Sequence, residues 1–152
     1  MGTYLRQRMS RECVFCRIIG GEIISHKVYE DERTLAFLDI HPSTPGHTLI
    51  VPKAHIARVE DLSERDAEAL FGTLHKIVGG IQEAVGAPAS TIGVNNGRES
   101  GQEVPHVHIH VIPRSRGDRG GIIQGIARSH RPDNDEMIEI AEKIRLKIAE
   151  SS

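Results

Sequence analysis

Apolar positions change their period along the chain, and each change marks an element. From Cys13 to Ile19, Val14, Phe15, Ile18 and Ile19 recur at helical spacing before Gly20-Gly21 halts the run, which predicts one short helix. Lys27–Glu30 and Thr34–Asp39 read as two strands joined at the polar turn Asp31-Glu32-Arg33. The proline-rich stretch 41–46 reads as a loop, and His47–Val51 as a third strand ended by Pro52. Ser63 and Asp66 have the spacing of a capping box. Behind them Leu70, Phe71, Leu74, Ile77, Val78, Ile81 and Val85 mark a long helix closed by Gly86 and Pro88. Thr91–Val94 and His106–Ile112 read as the last strands. The stretch 114–131 is rich in glycine and arginine and reads as a mobile loop. Asp133 or Asn134 caps a final helix with Met137, Ile140, Ala141, Ile144 and Ile148 on one face.

Strands joined by short turns and interrupted by helices point to α+β rather than a doubly wound sheet. The expected layout is a polar tail over 1–12 and a single domain over 13–152, with a C-terminal loop and helix from 114. At 152 residues, 38% of them hydrophobic, the chain can bury a core. No apolar run is long enough to cross a bilayer, and Met1–Arg11 has no apolar stretch resembling a secretory signal; the expected location is cytoplasmic. A net charge of -2 and 3% aromatics give no basis for nucleic-acid binding. Neither a dinucleotide fingerprint nor a phosphate-binding P-loop motif is present.

Histidine is plentiful, at nine residues, and the two cysteines stand together as Cys13-x-x-Cys16. Two cysteines cannot build a disulfide framework, so the pair calls for a metal or a redox explanation. The sharper signal is His106-Val107-His108-Ile109-His110-Val111-Ile112. On a strand the three imidazoles share one face, about 6.5–7 Å apart, and Val107, Ile109 and Val111 share the other. Such a face can be plain surface, can bind a catalytic metal, or can supply a neutral imidazole that attacks phosphorus. For the nucleophilic role the attacking ring needs an acceptor behind its other nitrogen, and its neighbours can donate to phosphoryl oxygens. The residues alone leave these readings open.

His106-x-His108-x-His110 followed by Val111-Ile112 resembles the signature of the histidine triad (HIT) family of nucleotide hydrolases and transferases, in its zinc-containing Hint/Hit-like branch. Four further blocks resemble that family in its order: Cys13–Ile23, Leu35–Ile40, Gly46–Ile56 and Asn95–Gln102. The resemblance implies an antiparallel sheet of about five strands with one long central helix and short flanking helices, joined to a partner sheet in a homodimer. It implies a substrate such as an AMP conjugate, either a purine nucleoside phosphoramidate or a dinucleoside polyphosphate, cleaved at the α-phosphate. His108 would form a covalent nucleotidyl-histidine, His110 would bind phosphoryl oxygens and the His106 carbonyl would hold the His108 tautomer. Asp39 would accept the ribose hydroxyls, and Gly101-Gln102 would clamp the phosphate. Asn95 and His47 match other pocket positions, and Val14, Phe15, Ile18, Leu38 and Ile40 would form the base slot.

Glu103 departs from the Hint pattern, where serine or threonine follows Gly-Gln and helps protonate the leaving group; a carboxylate there repels phosphate. The resemblance also implies one structural zinc per chain held by Cys13, Cys16, His55 and His106, a closed tetrahedral set. Two alternative functions stay open at this point: a nucleotide-binding scaffold with little catalysis, and a metal-dependent phosphohydrolase. Arg114, Arg116, Arg119, Arg128 and Arg131 read as a solvated basic loop, with contact to polyphosphate as the alternative.

Overall fold

Period-two alternation in the central strands decides the architecture, because both faces of the strands are apolar and both need cover. The computed structural model describes residues 12–151. The tail expected over 1–12 lies, apart from Glu12, outside them. Five strands form one sheet: β1 (Lys27–Glu30), β2 (Thr34–Leu38), β3 (Thr48–Pro52), β4 (Ala89–Gly93) and β5 (Ile109–Arg114). Their order is β1-β2-β3-β5-β4, and every neighbouring pair is antiparallel. The described residues fall into two compact units, one ending at Gly120 and the other beginning at Gly121.

In the first unit, Leu35, Phe37, Leu49 and Val51 point to one side of the sheet and pack with Phe15 and Ile18 of α1 (Val14–Ile19). Ala36, Ile50, Ile109 and Val111 point to the other and pack beneath Leu70, Leu74, Ile77 and Ile81 of α2 (Glu64–Val85). Leu35, Ile50, Leu70 and Ile109 are fully buried, each contributing about 1.5–3 kcal/mol from the removal of apolar surface from water. The sheet is therefore a wall between a long helix and a short one, and the short one faces the histidines.

The helix ends follow their capping chemistry. The Cys13 thiol accepts the Cys16 N–H at 3.4 Å at the start of α1. The Ser63 hydroxyl accepts the Asp66 N–H at 3.1 Å, and Gly86 closes α2 in the left-handed region. The capping box is only half formed, because the Asp66 carboxylate takes Arg33 at 2.9 Å instead. In the second unit Asp133 caps α3 (Asn134–Glu150), accepting the Glu136 N–H at 2.9 Å. The helix leaves Met137, Ile140, Ile144 and Ile148 exposed.

One strand boundary departs from the sequence reading. β5 begins at Ile109, not His106. The ladder to β3 ends with Ile50 opposite Ile109. Beyond it the Val107 N–H donates to the Ile56 carbonyl at 2.8 Å, and the Pro52 carbonyl is taken by the His106 ring at 2.8 Å. His106 and His108 thus lie on the approach to the strand and only His110 on the strand itself. The two faces nonetheless separate as expected, since Val107 joins Ile109 and Val111 beneath α2.

Candidate active site

On the α1 side of the sheet lies a cavity of about 470 Å³. One wall is apolar, with Val14, Phe15, Ile18, Leu38 and Ile40; the rest carries Asp39, Asn95, Gly101, Glu103, His108 and His110. The Phe15 ring stands edge-on to His108 with centroids 5.0 Å apart, so α1 fixes one side of that imidazole. The His110 ring fixes another, also at 5.0 Å.

Hydrogen bonds settle which nitrogens carry protons. His108 Nδ1 lies 2.7 Å from the His106 carbonyl, an acceptor only, so Nδ1 holds the proton. The lone pair is then on Nε2. The Ser43 backbone N–H donates to His47 Nδ1 at 3.0 Å, so the His47 proton sits on Nε2. That nitrogen is 2.9 Å from His110 Nδ1, which must accept, leaving the His110 proton on Nε2. Backbone atoms at both ends thus place a bare nitrogen on His108 and a donor on His110. Burial reinforces the neutral forms. It pushes His108 below the ordinary imidazole value against the opposing pull of the His106 carbonyl and Asp39. It pushes His110 down to about 4, helped by His108 and His47 and opposed by Asp39. His47 is lowered by burial too, with Asp39 opposing.

A second cluster ties α1 to the segment before β5. Cys13 Sγ is 3.5 Å and Cys16 Sγ 3.6 Å from His106 Nδ1; Cys16 Sγ and His106 Nδ1 are each 3.3 Å from His55 Nδ1. His106 Nε2 donates to the Pro52 carbonyl, so its Nδ1 turns a lone pair toward the two thiols. Metal–sulfur bonds of about 2.3 Å and metal–nitrogen bonds of about 2.0–2.1 Å give tetrahedral edges of about 3.6 Å for S–N and 3.3 Å for N–N. The donor set therefore fits a closed tetrahedral ion such as zinc. Asp39, His47 and His110 also come within 4.8 Å of one another. There the imidazole nitrogens already bond to each other, so no lone pair is left facing a shared centre.

Of the residues singled out in the sequence, eleven line the cavity: Val14, Phe15, Ile18, Leu38, Asp39, Ile40, Asn95, Gly101, Glu103, His108 and His110. His47 and His106 stand behind it, each bonded to a ring or acting through its carbonyl. Gln102 does not line it. Its side-chain oxygen accepts the Gly97 N–H at 2.8 Å and its amide donates to the carbonyls of Ala57 and Val104 at 2.7 and 3.0 Å. It is a strut for the glycine turn. The lining residues missed were Ile23, Ile24, Ser25, Phe37, His41, Leu49 and Val104. Strand alternation could have found Phe37 and Leu49, which share the α1 face; the others carry no local signal.

A sequence profile of the HIT domain matches residues 20–117. The adenosine 5′-monophosphoramidase of Schizosaccharomyces pombe is 35% identical over 90% of this chain and 98% of its own length. The adenylylsulfatase of Arabidopsis thaliana is 39% identical over 72% of this chain and 56% of its own length. Among solved structures, a zinc-bound histidine triad family protein from Mycobacterium smegmatis superposes with a TM-score of 0.67 at 30% identity, covering 93% of this chain and 98% of that one.

Proposed function

The chain belongs to the HIT domain family, and on that premise we propose that it is a nucleotide hydrolase or nucleotidyl transferase working through a covalent nucleotidyl-histidine on His108. The observation that carries this reading is the 2.7 Å bond from His108 Nδ1 to the His106 carbonyl, in a ring that lines the cavity. Its Nε2 lone pair forms a bond to the α-phosphorus while the bond from phosphorus to the leaving group breaks, and the leaving group departs with that electron pair and takes up a proton. Water then attacks phosphorus and gives up a proton to solvent, the N–P pair returns to Nε2, and the nucleoside monophosphate leaves. His110, with its proton on Nε2, donates to a non-bridging oxygen as charge develops there. Asp39 accepts the two ribose hydroxyls, and the base lies against Phe15, Ile18, Leu38 and Ile40. Purine nucleoside phosphoramidates and dinucleoside polyphosphates both fit this scheme.

Cys13, Cys16, His55 and His106 would hold one zinc ion. When bound it supplies a cross-link and no chemistry at phosphorus, since all four positions are filled by protein. This chain's contribution is to anchor His106, whose carbonyl orients the nucleophile. The protein would act as a cytoplasmic homodimer. Intact-mass spectrometry after a brief acid-free quench with an AMP phosphoramidate tests the reading. A nucleotidyl adduct that disappears in His108→Ala is expected. Turnover by His108→Ala at the parental rate would overturn it.

A further inference from the structure

The relatives' names span a phosphoramidase and an adenylylsulfatase, so family membership leaves the leaving group open. The cavity's charges do not. Asp39 and Glu103 both line it, and among the described residues no lysine or arginine does. Of its imidazoles, His110 adds no fixed positive charge, because its Nδ1 accepts from His47, which itself accepts from the Ser43 backbone. Asp39 is occupied, with His41 N–H at 2.9 Å and the His47 ring at 3.6 Å. Glu103 has no hydrogen-bond or ion-pair partner among the described residues. Its backbone is anchored, because the preceding Gln102 is bonded to three backbone groups. An unpaired carboxylate at the wall of a site that no lysine or arginine lines among the described residues is an electrostatic filter.

Building on the nucleotidyl-transfer reading, we infer that Glu103 selects the leaving group: the cavity favours nucleotide conjugates whose departing arm carries a cation, such as an ammonium, and disfavours polyanionic ones. A single α-phosphate charge is met by the His110 donor. For each further anion the only formally charged side chains in the described lining are carboxylates. Opposite unit charges about 6 Å apart in a water-like medium change an affinity about threefold, so exchanging an ammonium for a carboxylate on the arm changes it about tenfold. The preference weakens with salt, because Glu103 is exposed to solvent.

The test is equilibrium binding of two AMP analogues at low ionic strength, without added divalent metal. Each carries a short arm through a P–C bond that cannot be displaced, one ending in ammonium and one in carboxylate. The parent protein is expected to bind the ammonium analogue about tenfold tighter. Glu103→Gln brings that ratio close to one, and Glu103→Lys reverses its order. An unchanged ratio in both variants, or no binding of either analogue by the parent, overturns the inference. Because no turnover is read, failure to form a His108 adduct would overturn the catalytic reading and leave the binding ratio to decide this one.

Discussion

Buried neutral imidazoles make this fold acid-sensitive, and His110 allows the effect to be worked out. Its value in the folded chain is about 4, below the ordinary 6.5, chiefly because burial disfavours the charged ring. Between these values the unfolded chain binds more proton than the folded one. Stability from this group is therefore complete above about pH 6.5 and is lost as pH falls toward 4. Over the two units from pH 7 to pH 5 the loss comes to about 2 kcal/mol for His110 alone. His110→Gln isolates it, since the amide oxygen still accepts from His47 and cannot titrate in this range. Urea unfolding at pH 7 and pH 5 is the assay. The parent should lose about 2 kcal/mol more than His110→Gln across that interval. Equal losses in the two proteins would refute the argument, because His110 would then be charged, or solvated, in the folded state.

Elemental analysis should find one zinc per chain, and Cys16→Ser should lower both metal content and the unfolding midpoint; a parent protein without metal would remove the proposed cross-link. Gly46 precedes His47 at φ +89, and a Cβ there would meet Val85 Cγ1 at 2.9 Å. Gly46→Ala should cost about 1–3 kcal/mol in urea unfolding, and unchanged stability would show that the turn can relax. Ser25 carries a buried hydroxyl with no hydrogen-bond partner among the described residues. Ser25→Ala should leave stability unchanged or raise it by about 1 kcal/mol, and a marked loss would mean that the hydroxyl is satisfied in solution.

Local signals carried most of the fold. Caps at Ser63 and Asp133 and the stops at Gly20 and Gly86 marked helix ends, and β1 to β3 fell within a residue of their expected limits. β4 starts at Ala89 rather than Thr91, because its pairing to Arg114 extends it beyond its apolar stretch. The start of β5 was hidden for a related reason: alternation shows which residues share a face but not where a partner strand runs out. Cys13 and Cys16 announce their cluster by spacing. His55 and His106 enter it only through the return of the chain, and were legible only by resemblance. The role of Gln102 as a strut depends in part on a loop contact to the distant Ala57 carbonyl, and that of Ser43 as the donor behind His47 on a loop backbone N–H, which residue type does not announce.

Those loop contacts explain why the histidines sit where the ladder stops. A regular antiparallel pair consumes its backbone donors and acceptors in rungs. Past Ile109 the rungs to β3 end, and the freed groups turn to side chains: the Pro52 carbonyl holds His106 Nε2, and the His106 carbonyl holds His108 Nδ1. The Ser43 N–H, in the loop before β3, does the same for His47. His106 is the junction. Its ring faces the two thiols while its carbonyl sets the protonation of His108, so a shift at the cysteine cluster passes to the proposed nucleophile through one residue. Extending β5 back to His106 would add rungs and take away the acceptors that define the site. The irregular approach is the part of the sheet that chemistry requires, and its anchorage to α1 through Cys13 and Cys16 keeps an unpaired segment in place.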